Sequence, residues 1–145
     1  MSNILKYHLE AQEAYKIGQP VIIKFSIENL TENVIWILTW YTPFEGILGK
    51  IFSVNCGGQE IVYNGMMVKR GNPDLKDYLR IGPYKSVSTE VDLSIAYRLQ
   101  SSNECHVKFK GIIHDFVFEQ KLLPRKIDEH QSIDIEGNIV TFQTF

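Results

Sequence analysis

Apolar side chains recur at every second position along most of this chain, and that spacing commits it to extended structure. Between Pro20 and Asn29, Val21, Ile23, Phe25 and Ile27 share one side, while Lys24, Ser26 and Glu28 follow Ile22 on the other. A helix would need apolar residues three and four apart; a strand with one face on a core needs this alternation. The pattern returns at Val87, Thr89, Val91 and Leu93 against Ser86, Ser88, Glu90 and Asp92, and at Cys105, Val107 and Phe109 against His106, Lys108 and Lys110. The stretch 34–40, Val-Ile-Trp-Ile-Leu-Thr-Trp, is apolar on both faces and reads as a central strand covered on both sides.

Shorter strand candidates are 5–9, 51–54, 60–63, 78–81, 112–119 and 138–145. Turn signals separate them: Gly18-Gln19-Pro20, residues 29–33, Gly57-Gly58, Gly71-Asn72-Pro73, Gly82-Pro83, residues 101–103 and Glu136-Gly137-Asn138. Helical periodicity is scarce, with a turn or two expected at 10–15, 73–77 and 92–99. Many short strands about ten residues apart predict an all-β fold, an antiparallel immunoglobulin-like β-sandwich of about seven to nine strands. Its expected core is Val21, Ile23, Phe25, Ile27, Trp36, Leu38, Val87, Val91, Leu93, Val107 and Phe109. Residues 124–131 are polar and read as a mobile connection before the last strand. No composition break divides the chain, so one domain over residues 1–145 is expected.

Charge and hydropathy narrow the function. Fifteen basic residues against 17 acidic give a net charge of −2, which supplies no field for nucleic acid or an anionic bilayer. No apolar run approaches the ~20 residues of a membrane span. The N-terminal stretch Met1 to His8 lacks the apolar segment of a signal peptide. The chain as given reads as cytoplasmic, or as periplasmic or secreted if an export segment was removed. The two cysteines, Cys56 and Cys105, are expected as free thiols without export and as a pair if exported.

Catalytic and metal motifs are not found. His8, His106, His114 and His130 show no zinc-ligand spacing, and Cys105 and His106 point to opposite faces of one strand. No Gly-x-Ser-x-Gly elbow and no phosphate-binding glycine spacing occurs. Asp115 and Glu119 read as scattered carboxylates. No cofactor, no metal and no catalytic residue is expected. Asn29-Leu30-Thr31 matches a glycosylation sequon and is set aside as a chance match.

The middle of the chain carries an ordered series of segments. Leu38-Thr-Trp-Tyr-Thr-Pro-Phe-Glu-Gly46 leads to Gly49-Lys-Ile-Phe52, then Gly58-Gln-Glu-Ile-Val-Tyr-Asn-Gly65 and Val68-Lys-Arg-Gly71. Pro73-Asp-Leu-Lys-Asp-Tyr78, Ile81-Gly-Pro-Tyr-Lys-Ser-Val87 and Val91-Asp-Leu-Ser-Ile-Ala-Tyr97 follow. Together, over about residues 4–109, they resemble the N-terminal β-sandwich of bacterial deuterolysin-like zinc metallopeptidases, the aspzincin or peptidyl-Lys group. The resemblance implies an accessory or propeptide-like domain that restrains a protease and contributes no catalytic residue. The peptidase half would bring a helical His-Glu-x-x-His, which this sequence lacks, so peptidase activity does not carry over.

Two loops are the candidate partner-binding surface. Trp40, Tyr41, Pro43, Phe44 and Glu45 crowd aromatic anchors at a strand end; Trp40 and Phe44 would alternatively plug the end of the sandwich. Lys69, Arg70 and Asn72 form a basic loop between Met66 and Pro73, suited to an acidic cleft such as that of a zinc peptidase, or else an ordinary solvated loop. The expected function is a non-catalytic protein-binding module that binds or inhibits a peptidase. The alternatives are an adaptor with a non-protease partner in secretion or host interaction, and an unrecognised small-ligand binder or enzyme. The chain is expected as a monomer or as a homodimer paired along the edge strand 138–145.

Overall fold

The alternating segments become the two main sheets of the structure, a computed structural model that describes residues 3–145. Met1 and Ser2, the start of the N-terminal stretch read for a signal peptide, lie outside the described residues. In chain order the strands are β1 (Leu5–Glu10), β2 (Ala14–Tyr15), β3 (Ile22–Asn29), β4 (Ile35–Leu38), β5 (Phe52–Cys56), β6 (Gln59–Glu60), β7 (Tyr78–Ile81), β8 (Ser86–Asp92), β9 (Glu104–Phe109), β10 (Ile112–Ile113), β11 (Phe116–Val117), β12 (Ile133–Asp134) and β13 (Val140–Thr144). Single 3-10 turns at Pro43–Glu45, Leu75–Asp77, Leu93–Ile95, Gln120–Leu122 and Ile127–Glu129 are the helical elements among the described residues. The fold is all-β, and none of these helices is long and apolar enough to cross a membrane.

One sheet has the order β1-β3-β8, another β2-β13-β9-β5-β6, with β11-β4-β7 and β10-β12 completing the set. Every pairing is antiparallel except β13 with β2. The registers keep apolar residues on one face: Tyr7 opposes Ile27 and Leu9 opposes Phe25, while Val54 opposes Val107 and Phe52 opposes Phe109. The inner faces of these two sheets meet at aromatic rings. Phe109 lies 4.9 Å from Phe25 and 5.2 Å from Tyr7, both edge-on. This is the arrangement of a β-sandwich, in which interdigitating side chains from two sheets make the core. Ile23, Phe25, Ile27, Phe52, Val107 and Phe109 are fully buried, and each such side chain stabilises the fold by about 1.5–3 kcal/mol. Trp36 and Val87 of the expected core are half-buried instead.

β4 sits between β11 and β7, the central position its two apolar faces require. Ile35 and Ile37 enter the main core, whereas Leu38 joins a second cluster with Trp40, Tyr78, Trp36 and Leu123. One strand thus divides its alternating side chains between two cores.

Several expectations change or are decided between alternatives. Residues 112–119 do not form one strand; the chain breaks at His114-Asp115, where the fully buried Asp115 gathers polar partners that a regular ladder does not supply. Residues 124–131 fold onto the body of the protein because they bring Arg125, His130 and the Gln131 amide to that carboxylate. The last strand is not an edge: β13 is flanked by β9 and β2, and Phe145 N donates to Tyr15 O. Finally, Cys56 and Cys105 face each other across β5 and β9 and form a disulfide. The expected turns at 10–15 and 92–99 shrink, the first to extended β2 and the second to Leu93–Ile95.

Two local devices seal the fold. Asn138 bonds both the amide and the carbonyl of Leu9 (2.7 and 2.8 Å), covering the free edge of β1. The chain passes so close there that a Cβ at Gly137 would lie 2.4 Å from Tyr7 O. Asn29 is fully buried, its amide nitrogen donating to the carbonyls of Asn33, Ile81 and Gly82 and its oxygen accepting from Thr31. Its role in the sequon-like triplet is structural.

Candidate functional site

The loop after β4 reverses on a short chain of hydrogen bonds. Thr39 donates its amide and hydroxyl to Asp77 O, fixing the strand end to the turn before β7. The buried Thr42 donates its hydroxyl to Thr39 O at 2.6 Å and accepts from Phe44 N, which caps the 3-10 turn Pro43–Glu45. Pro43 suits the first position of that turn, where no amide is required. Tyr41 takes φ +59°, a region unfavourable for a bulky residue. Its amide donates to Glu45 Oε2 at 2.7 Å, which holds the conformation.

Arg70 locks this loop to the next. Its guanidinium centre lies 4.6 Å from the Trp40 ring centroid and 4.8 Å from that of Tyr41, and Nη2 donates to Glu45 Oε2. The Arg70 and Glu45 side chains are only 13% and 11% exposed. Partial desolvation strengthens the cation–π attraction, and the planar guanidinium suits two ring faces in a way an ammonium does not. Arg70 Nε is buried without a hydrogen-bond partner, as a guanidinium held by ring faces permits.

The rest of the loop projects. Met66 and Met67 are 66% and 85% exposed, Val62 is 80% exposed, and Lys69 is exposed without an ion pair among the described residues. The loop is tied at both ends. The Tyr63 hydroxyl donates to Met66 O while its ring packs edge-on against Tyr97. Asn72 Oδ1 accepts from Ile127 N at 3.0 Å, and Pro73 is buried.

The predicted residues therefore divide. Trp40, Tyr41, Glu45 and Arg70 converge in one clamp. Pro43 is buried, and Phe44 turns inward to meet Phe25 at 5.5 Å. Lys69 stands outside the clamp, and Asn72 anchors the loop to the 127–129 turn.

Beneath Trp40 lies a polar cluster around Asp115, which by sequence reads only as a scattered carboxylate. Asp115 accepts from the Tyr78 hydroxyl at 2.6 Å, Arg125 Nε at 3.1 Å, Arg125 Nη2 and the Gln131 amide at 2.9 Å. His130 stands 4.0 Å from the carboxylate; its Nε2 donates to Arg125 O at 3.2 Å and lies 3.5 Å from the Tyr78 oxygen, whose proton goes to Asp115, and its ring is edge-on to Trp40. Burial alone would raise the Asp115 carboxyl; the bonds from Arg125, Tyr78 and Gln131 outweigh it and hold the group below the usual carboxylate range. Burial and the neighbouring carboxylate push the Tyr78 phenol up. His114, whose ring lies 4.8 Å from Tyr41, has its pKa lowered by burial and then by the charges of His130 and Arg70. The signal for Asp115 was present: it is a lone carboxylate between Ile113 and Val117 on the inward face of an alternating run. Among the described residues no three His, Cys, Asp or Glu side chains converge on a common metal position.

No family model matches the chain. Over 89 residues, 61% of its length, it is 24% identical to an extracellular protease of Aeromonas hydrophila. The match spans about a quarter (25%) of that protein, and it is compatible with an accessory domain associated with a protease.

Proposed function

We propose that this chain is a non-catalytic protein-binding module, an immunoglobulin-like β-sandwich of the protease-associated kind, that docks on a peptidase and restrains it. The observation that carries the reading is the Arg70 clamp, which makes two loops one rigid unit with Met66, Met67 and Lys69 at its tip. A preorganised loop loses less conformational entropy on binding, which favours tight inhibition. Exposed thioethers fill apolar subsites readily, and the unpaired Lys69 adds one cation for an acidic position in a cleft. Trp40 and Tyr41 serve as the frame of the loop, and the partner meets residues 62–69. The partial likeness to an extracellular protease supports the choice of partner class. The Asp115 cluster favours a non-catalytic reading, because Arg125, Tyr78 and Gln131 already occupy its carboxylate oxygens.

The test is to mix the purified chain with extracellular metallopeptidases and follow both peptide cleavage and complex formation on a sizing column. Inhibition is expected, weakened about tenfold or more by Met67→Asp, since a charge at a buried interface position costs at least ~1.4 kcal/mol. Unchanged cleavage together with no complex overturns the reading.

A further inference from the structure

Beside the clamp, bordered by Tyr41, the structure holds a semi-enclosed cavity of about 270 Å³. Its walls are Tyr41, Ile51, Ile112 and His114, with Lys50 and Lys110 beside them. The volume is near the lower end for ligand pockets and suits a single apolar side chain or small ring. The walls are held in place. Tyr41 is pinned by Arg70 and by its contact with His114.

The polar side chains around the cavity are one imidazole, His114, and two ammonium groups, Lys50 and Lys110. His114 lines the cavity, packs its ring against Tyr41 and makes no hydrogen bond with any described residue. Lys50 is 3.2 Å from Glu60, whereas Lys110 has no ion pair among the described residues. No carboxylate lines the cavity. An apolar chamber with an imidazole and an unpaired ammonium matches an apolar group that carries a carboxylate. We propose that this cavity binds a small apolar carboxylate, the chemistry shared by an aromatic acid and by the C-terminal residue of a peptide. The proposal does not rest on the peptidase reading: the cavity shares Tyr41 with the clamp, but none of residues 62–69 lines it.

The experiment titrates the full chain, labelled with nitrogen-15, with phenylacetate, with N-acetyl-phenylalanine, with a tetrapeptide ending in a free phenylalanine carboxylate, and with the amides of each. Shifts centred on Ile51, Ile112 and His114 are expected with the acids, with about tenfold weaker binding for the amides, the usual scale for losing a charge-assisted contact. Lys110→Met should weaken the acids by a similar factor and leave the amides unchanged. Ile112→Phe, which fills the cavity, should abolish binding of the acids while thermal unfolding stays cooperative. Preference for the tetrapeptide over phenylacetate assigns the site to peptide C-termini; the reverse assigns it to free acids, and either supports the proposal. Equal affinity of acids and amides overturns it, as does a lack of shifts in the wild-type cavity. Peptidase inhibition by the same samples is a separate readout, so failure of one proposal is distinguishable from failure of the other.

Discussion

The phenol of Tyr78 and the carboxylate of Asp115 meet at 2.6 Å inside the protein, 37 residues apart in sequence. Tyr78 opens β7 and Asp115 precedes β11, the two strands that flank β4, so their bond closes the sheet from both edges. Arg125 and Gln131 then fasten the 120–131 segment to the same carboxylate.

Asp115→Ala should therefore destabilise the protein by about 3–5 kcal/mol, because it strands the Arg125 charge and the Tyr78 hydroxyl in a buried site. Tyr78→Phe removes one bond and should cost only about 1–2 kcal/mol. Urea unfolding of the two variants checks the ratio.

Acid should act through the same group. The Asp115 carboxyl is held below its ordinary value of 3.8, so the folded state favours the ionised form. The resulting stability is fully present above that value and is lost as pH falls through the lower folded value. Urea midpoints measured from pH 6 to pH 3 should fall for the wild type, and Asp115→Asn should flatten the part of that fall due to this group.

Arg70→Lys keeps the charge and removes the planar stack, with an expected cost of about 1 kcal/mol. Amide hydrogen exchange should speed up across residues 62–69 and leave β3 and β9 protected. Uniform exchange in both regions would contradict the clamp.

The Cys56–Cys105 bond joins positions 49 residues apart. Constraining a loop of that length in the unfolded chain corresponds to about 2–4 kcal/mol. Cys56→Ala/Cys105→Ala should lower stability by that amount, and a reductant should lower the melting temperature of the wild type but not of the variant.

Asn29→Asp should cost about 3 kcal/mol or more, since its amide nitrogen donates to three carbonyls and a carboxylate has no proton to offer them. Calorimetry reads this loss directly.

Much of the fold was legible in the chain. Alternation located β3, β8 and β9, and two apolar faces placed β4 between neighbours, because these signals are local and repeat every two residues. The site was legible only as a set of residues. Trp40 and Arg70 were both singled out, yet nothing in their spacing shows that Arg70 lies over the Trp40 ring. Asp115 reads as a scattered carboxylate because its inward position does not reveal the partners that folding brings to it, and 124–131 reads as mobile because polar composition does not reveal a buried partner.

The sequence by itself determined that the chain is extended, which faces are apolar, and that its net charge is only −2. The tertiary structure decided which polar groups turn inward, that Cys56 meets Cys105, and that β13 is covered at its edge. The reason is physical. Strand formation follows from neighbours two residues apart, whereas the cost of burying a charge is offset only by partners that folding brings from far along the chain, as Arg70 finds Glu45 from 25 residues away.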